Sequence, residues 1–282
     1  MSDPRLTPAN ARVADAALRD QIAAPRYTEG AARRVSAPVA DLLHAPRGRR
    51  LRQLLAGAPV TWYETHEEWA FVRAEDGYVG YLPEDALTDD VVPTHWITAR
   101  ATHVYSAADL KSAERATLSH LSRVRVLTQA AGWAETTVGH VPARHIRPLP
   151  MAEPDPVAIA QMYIAAPYLW GGNSVFGIDC SGLVQACCRA CGIDCPGDSD
   201  MQQAALGRPL PESARLRRGD LLFWRGHVAW VLDASHILHA NAYHMAVSIE
   251  PLQAALARIA AEGGGEVTAR KRLSSRQDTC WG

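Results

Sequence analysis

The chain has 282 residues, 48% of them hydrophobic and 21% charged, and its formal net charge at pH 7 is -1. This balance is typical of a globular protein, and the length suits two or three domains. A net charge so close to zero gives no electrostatic basis for binding nucleic acid or an anionic membrane, and no apolar run is long enough to span a bilayer.

Residues 1–30 are rich in alanine, arginine and aspartate, and residues 10–22 are predicted to form one short helix. The segment lacks the basic start and apolar core of a secretory signal. We therefore expect an N-terminal segment over residues 1–30 and a cytoplasmic protein.

Residues 31–150 read as short strands separated by glycine, proline and aspartate. The pattern Trp69-Ala70, Gly80-Tyr-Leu-Pro83 and Leu87 recurs as Trp133-Ala134, Gly139-His-Val-Pro142 and Ile146. The repeat predicts two small β-barrels, over residues 31–92 and 93–150. One larger all-β domain is the alternative.

Two prolines in residues 153–156 indicate a linker, after which the pattern changes. Helices are predicted over residues 157–166, 180–191 and 198–205, and strands over residues 220–224, 227–233 and 236–240. Helices followed by a run of strands indicate an α+β domain over residues 151–282.

Five of the six cysteines lie between Cys180 and Cys195, and Cys280 stands apart. The pair Cys188-x-x-Cys191 has no second pair at the spacing of a zinc site. We therefore expect small buried thiols in a reducing compartment, with no metal, no disulfide and no cofactor.

Cys180 begins a predicted helix and follows Asp179, which is suited to capping that helix. A helix N-terminus and a nearby imidazolium lower the pKa of a thiol and so activate it as a nucleophile. His227 begins one predicted strand, and antiparallel pairing with the next strand can bring His239 beside it. His236 and His244 are rivals for this third position, but the patterns around them indicate structural or exposed roles.

Five motifs follow one another along the chain: Pro167-Tyr-Leu-Trp-Gly-Gly172, Asp179-Cys-Ser-Gly182, Arg218-Gly-Asp-Leu221, Gly226-His-Val228 and the His239 segment. In order and spacing they resemble those of the NlpC-type papain-like peptidases of bacterial cell walls, most strongly over residues 155–255. The two barrels resemble the bacterial SH3-type domains found in front of this catalytic domain. The resemblance implies a multidomain chain, with two all-β SH3-like barrels followed by an α+β papain-like cysteine peptidase domain.

The resemblance also implies hydrolysis of the bond between γ-D-glutamate and a diamino acid in peptidoglycan stem peptides. Murein peptide recycling by a dipeptidyl peptidase that requires a free L-alanine is the expected setting. Carried over by position, Cys180 is the nucleophile, His227 the base and His239 the residue that orients it. Tyr168 lies on the side of the oxyanion. The candidate substrate-binding residues are Asp179, Ser181, Ser199, Trp170, Tyr78 and Tyr81.

One loop departs from the family pattern. Where relatives carry an acid for the substrate amine, residues 46–53 are basic, which instead favours a substrate carboxylate. Three alternatives remain open at this stage: an exported endopeptidase acting on intact wall, a catalytically inert peptide-binding module, and a transferase that passes the acyl group to an amine.

Overall fold

The structure is a computed structural model that describes residues 3–273. The chain forms two compact units, which divide between Pro150 and Met151. The end of the predicted 151–282 domain, with Cys280, lies outside the described residues. Within residues 3–273, no helix is both long and apolar enough to cross a bilayer.

The first unit is built from short strands. Its described strands are β1 (Ala14–Asp15), β2 (Tyr27–Thr28), β3 (Ala31–Val35), β4 (Val39–Leu43), β5 (Arg50–Leu55), β6 (Pro59–His66), β7 (Trp69–Ala74), β8 (Val79–Pro83), β9 (Leu87–Asp89), β10 (His95–Ile97), β11 (Ala101–Tyr105), β12 (Glu114–Ser119), β13 (Arg123–Val124), β14 (Val126–Ala130), β15 (Trp133–Thr136), β16 (Gly139–Pro142) and β17 (Ile146–Pro148). They form four sheets, in the orders β5-β4-β8-β7-β6-β3-β9, β12-β11-β16-β15-β14, β13-β10-β17 and β1-β2.

The sequence repeat corresponds to a local structural repeat. In the first copy, β7 and β8 lead into a three-residue 3-10 helix, Glu84–Ala86, and then β9. In the second, β15 and β16 lead into Ala143–His145 and then β17. Each short helix follows a proline, Pro83 or Pro142, at its N-cap position. The two copies therefore turn the chain in the same way at the same place in the repeat.

The helix expected over residues 10–22 does not form, and that prediction is wrong. A single 3-10 turn, Ala16–Leu18, follows β1. Val13 is fully buried beside Tyr63, and the Tyr63 hydroxyl donates a hydrogen bond to Asp15 Oδ2 over 2.6 Å. These tertiary contacts hold residues 10–22 against the rest of the first unit and override the helix propensity of the segment.

The second unit contains four helices and two sheets among its described residues. Its helices are α1 (Pro156–Met162), α2 (Cys180–Ala190), α3 (Ser199–Ala205) and α4 (Leu252–Ala261). Its strands are β18 (Asn173–Ser174), β19 (Gly177–Ile178), β20 (Arg208–Pro209), β21 (Asp220–Trp224), β22 (His227–Val231), β23 (His236–Asn241), β24 (Ala246–Pro251) and β25 (Ala269–Arg272). The main sheet is antiparallel throughout, in the order β20-β25-β21-β22-β23-β24, and β18 pairs with β19.

The helices of the second unit lie where the sequence predicts α1, α2 and α3, within four residues at each end. Helix α4 and strands β24 and β25 were not predicted. In α4, Leu252, Ala255 and Ile259 are buried, at the spacing of one helical face, against apolar residues of β21, β22 and β23. Helix α2 is almost wholly buried, with ten of its eleven residues inside, so its first residue is held firmly in place.

Candidate active site

Cys180 is the first residue of the buried helix α2, and Asp179 caps that helix as predicted. Asp179 Oδ1 accepts a hydrogen bond from the Gly182 N–H over 2.7 Å and one from Ser181 Oγ over 3.2 Å. Its other oxygen, Oδ2, accepts from the Gly171 N–H over 2.7 Å. One carboxylate therefore ties the preceding loop to the helix start and fixes where the sulfur lies.

The two predicted histidines meet on neighbouring antiparallel strands. Strand β22 carries His227 and strand β23 carries His239, and Trp230 pairs with Leu238 in the register between them. His227 Nε2 lies 2.8 Å from His239 Nδ1. His239 is only 1% exposed, whereas His227 is partly exposed. The side-by-side placement expected from the strand pattern is therefore present.

The Cys180 sulfur lies against the start of β22, where the N–H of Val228, the residue after His227, hydrogen-bonds to it. Burial and the negative charge of Asp179 raise the pKa of Cys180 to about 12, although the Val228 contact and the helix N–H groups lower it. The expectation that the site lowers the thiol pKa is wrong, since desolvation outweighs the helix N-terminus.

Burial also lowers the pKa of His227 to about 3, and the charges of His239 and Arg258 act in the same direction. A thiol with a raised pKa and an imidazole with a lowered pKa are both neutral at pH 7. The structure therefore favours general-base catalysis, in which the proton leaves the sulfur as the sulfur attacks. It does not favour a resting ion pair of thiolate and imidazolium.

Tyr168 lies near the same sulfur. Burial raises the pKa of Tyr168 to about 12, and the nearby ionisable groups of Cys180 and Asp179 add to that rise. The phenol therefore stays protonated and remains a hydrogen-bond donor at neutral pH. The Tyr168 backbone N–H donates to Met245 O over 2.9 Å, which fixes the chain at this point.

Sequence reasoning missed the residues behind His239. His239 Nε2 lies 3.0 Å from Glu250 Oε1, and Arg258 of α4 donates to the same carboxylate, over 2.8 Å to Oε1 and 3.3 Å to Oε2. Burial raises the pKa of Glu250, but the hydrogen bonds from His239 and Arg258 outweigh it and hold the pKa at about 2. A strand in which Ser248 and Glu250 alternate with apolar residues was the available signal.

The remaining histidine rivals occupy other places. His236 is partly exposed, and its Nδ1 lies 3.1 Å from Asp233 Oδ1. His244 is about two-fifths exposed, and its Nδ1 lies 3.2 Å from Glu250 Oε1. Neither ring takes the place beside His227 that His239 occupies.

The candidate substrate-binding residues of the second unit are spread around the start of α2. Ser181 is buried in the first turn, and its carbonyl accepts a hydrogen bond from Gln202 Nε2 of α3 over 2.9 Å. Ser199 begins α3 and is partly exposed, and the Asp198 side chain makes no capping hydrogen bond there. Trp170 is 54% exposed in the loop before β18.

The candidates of the first unit differ in exposure. Tyr78 is buried, with the Arg52 guanidinium 4.6 Å from its ring centroid, whereas Tyr81 lines a cavity of about 350 Å³. Tyr81 therefore borders space that a ligand can enter. In the basic loop, Arg50 and Arg52 already bind Asp41 and Asp76, so its arginines are only partly available to a substrate carboxylate.

The five cysteines among residues 3–273 are buried, as expected. Among residues 3–273, no group of three or more potential ligand side chains is placed to hold a metal ion.

This arrangement agrees with the comparisons to known proteins. The NlpC/P60 family matches residues 165–259, and the bacterial dipeptidyl-peptidase SH3 domain matches residues 42–87. Dipeptidyl-peptidase 6 of Lysinibacillus sphaericus is 30% identical over 224 residues, which cover 67% of this chain and 79% of that protein. This chain belongs to the NlpC/P60 family. It contains an SH3 domain and an NlpC/P60 domain, and it is a cysteine peptidase.

Two further relatives extend the comparison. A gamma-D-glutamyl-L-lysine dipeptidyl-peptidase of Bacillus cereus is 25% identical over 235 residues, covering 71% of this chain and 70% of that protein. The crystal structure of an NlpC/P60 family protein from Bacillus cereus matches with a TM-score of 0.72 at 20% identity, over 86% of this chain and 99% of that one. The predicted family and enzyme class are confirmed, while the roles of individual residues stay predictions.

Proposed function

We propose that this NlpC/P60 peptidase hydrolyses the bond between γ-D-glutamate and a diamino acid in peptidoglycan stem peptides. The observation that carries the proposal is the pair of His227 and His239, with 2.8 Å between Nε2 and Nδ1, at the start of the strand whose Val228 N–H hydrogen-bonds to the buried Cys180 thiol. Relatives named for gamma-D-glutamyl-L-lysine dipeptidyl-peptidase activity support the substrate class.

In the proposed mechanism, His227 takes the thiol proton as the Cys180 sulfur bonds to the γ-glutamyl carbonyl carbon. The protonated Tyr168 hydroxyl and the Cys180 backbone N–H are the proposed donors to the resulting oxyanion. His227 then returns its proton to the amine of the diamino acid, which leaves as the thioester forms. Water, deprotonated by the same ring, attacks the thioester and frees the dipeptide and the thiol.

The amino end of the substrate is the proposed partner of Asp179. The carboxylate lies one residue from the nucleophile, and a substrate ammonium entering a closed pocket needs an opposite charge there. Ser181, Ser199 and Trp170 surround the same helix start and are proposed to contact the peptide.

Both copies of the repeat are proposed to be SH3-like barrels, over residues 31–92 and 93–150. The SH3 match falls in the first copy, and the second copy has the same order of strand, 3-10 helix and strand.

Work on murein peptides during recycling in the cytoplasm is the proposed setting. Five buried cysteines that form no disulfide among the described residues fit a reducing compartment. Immunoblotting of cytoplasmic, membrane and secreted fractions tests this setting, and a protein recovered in the secreted fraction would contradict it.

The central experiment is mass spectrometry of products from synthetic stem peptides with free and with blocked amino ends. The protein should release L-Ala-D-Glu from the free tripeptide and act more slowly on the blocked one. Cys180→Ala should abolish release, while Cys195→Ala, which removes another buried thiol, should retain it. Turnover by the Cys180→Ala variant would rule out this mechanism, and no cleavage of any stem peptide would rule out the substrate.

A further inference from the structure

The carboxylate of Glu250 is buried next to His239, on the side of that ring away from His227. Glu250 lies near the end of β24 and is 7% exposed. Its Oε1 atom faces His239 Nε2 at 3.0 Å, and the opposite edge of the His239 ring faces His227. Each ring nitrogen of His239 therefore has one partner, and the partner on the Glu250 side can only accept a hydrogen bond when it is ionised.

An ionised Glu250 determines the tautomers of both rings. Because the carboxylate accepts, His239 carries its proton on Nε2, and burial lowers the pKa of His239 so that the ring is neutral. Nδ1 of His239 is then an acceptor, so His227 must present an N–H at Nε2. The remaining nitrogen of neutral His227, Nδ1, is left with the lone pair that a base needs.

Arg258 stabilises the ionised form of the Glu250 carboxylate and fixes its orientation. Its guanidinium binds both carboxylate oxygens and is itself held by Glu262, which accepts from Nη1 over 2.9 Å, and by the Tyr243 ring, 4.5 Å from the guanidinium carbon. Two-point binding of this kind fixes the carboxylate plane as well as its position. The positive charge of Arg258 also neutralises the negative charge of Glu250, so the pair orients His239 without adding net charge.

We propose that Glu250, held by Arg258, is a positioning residue of the peptidase reaction, which fixes both rings as Nε2–H tautomers so that His227 Nδ1 is the base. Glu250 touches neither substrate nor the sulfur and acts only through His239. The inference rests on the proposed roles of Cys180 and His227.

A glutamine at position 250 cannot do the same. Its single oxygen cannot replace both carboxylate oxygens, because Arg258 donates to each of them. With the amide oxygen at the Oε1 position, the NH2 group faces the Arg258 Nε–H, donor against donor, and the two-point grip of the arginine is lost. With the amide reversed, the NH2 group faces His239 Nε2 and requires the opposite tautomer, which would put a proton on His227 Nδ1 and remove the lone pair that takes the thiol proton.

The test compares Glu250→Gln with Glu262→Gln in the full-length protein. Glu262 binds the same arginine from its exposed side and does not contact His239, so its variant makes the same charge change as a matched control. Glu250→Gln should lower kcat by about 10- to 100-fold, the usual effect of removing a group that orients a functional histidine, with KM nearly unchanged. Glu262→Gln should keep kcat within about two-fold.

Two measurements separate positioning from a purely structural role and need no peptide. In ¹⁵N spectra of histidine-labelled protein, wild type should show Nε2–H for both His227 and His239, and Glu250→Gln should shift the His239 signals. Alkylation of Cys180 by iodoacetamide, counted against Cys180→Ala, should slow in Glu250→Gln. If wild type cleaves no stem peptide, the proposed substrate fails while these measurements still decide the positioning role.

A wild-type His239 protonated on Nδ1 would overturn the proposal, and so would a folded Glu250→Gln with wild-type kcat. If Glu250→Gln does not fold, the wild-type spectrum alone decides. Nε2–H on both rings then supports the proposal.

Discussion

Adding one methyl group at Gly182 should inactivate the enzyme, although the change improves helix propensity. Gly182 lies in the first turn of α2, two residues after the nucleophile. A Cβ placed there would lie 2.4 Å from the backbone carbonyl oxygen of Gly172 and 3.1 Å from Asp179 Oδ1. A backbone carbonyl cannot rotate away as a side chain can, so the helix start or the loop must move.

The size of the movement follows from the contact. Ordinary van der Waals contact for a Cβ begins near 3.4 Å, so the two backbones must separate by about 1 Å. A displacement of that size at a reacting group costs about 100-fold in rate. Overpacking costs about 1–3 kcal/mol, against a gain of about 1 kcal/mol for alanine over glycine in a helix. Gly182→Ala should therefore lower the free energy of unfolding slightly and kcat/KM by about 100-fold.

Peptide release by mass spectrometry and thermal unfolding test this together. Gly264→Ala is a suitable control, because its new Cβ would meet the Ile259 side chain at 2.6 Å, away from the nucleophile. That variant should lose stability at Ile259 but keep kcat/KM within about three-fold, since the clash does not involve the helix start that carries Cys180. If Gly182→Ala retained wild-type kcat/KM and unfolded at a higher temperature, the close approach of α2 to Gly172 would be refuted.

Two further predictions concern stability. Arg52 and Asp76 form an ion pair over 3.0 Å, and their side chains are only 5% and 4% exposed. Arg52→Met should therefore lower the free energy of unfolding by about 3–5 kcal/mol in chemical denaturation, because it leaves a buried charge unpaired. Arg50→Met, in a more exposed pair, should cost at most about 1 kcal/mol, and equal losses for the two variants would contradict the role of burial. Burial lowers the pKa of His227 from 6.5 to about 3 in the folded protein. Between pH 6.5 and pH 3 the unfolded state therefore binds more protons than the folded state does. The free energy of unfolding should fall as the pH drops from about 6.5 towards 3. His227→Asn should flatten the decline in Tm over that range, and an unchanged slope would count against a buried neutral ring. His120, whose pKa burial also lowers to about 3, adds to the decline with the same sign.

Much of the active site could be predicted because its parts lie on short, regular segments. The helix start at Cys180 and the strand patterns around His227 and His239 were enough to place two rings side by side. The role of Glu250 was not predicted, because strand β24 itself was not predicted and a charged residue outside any predicted strand resembles a surface residue. The 10–22 helix failed for a related reason, since Val13 is buried by contacts that lie far away in the sequence.

The order of motifs, the repeat in the first unit and the types of reacting side chain are written in the amino-acid sequence, because periodicity, turn residues and nucleophile chemistry are local properties. The protonation state of the thiol and the proton positions on the two rings were decided only by the tertiary structure. A pKa depends on desolvation and on charges brought close by folding, and a tautomer depends on which atom faces each nitrogen. The sequence favours an activated thiolate at Cys180, whereas burial beside Asp179 favours the neutral thiol until His227 takes its proton.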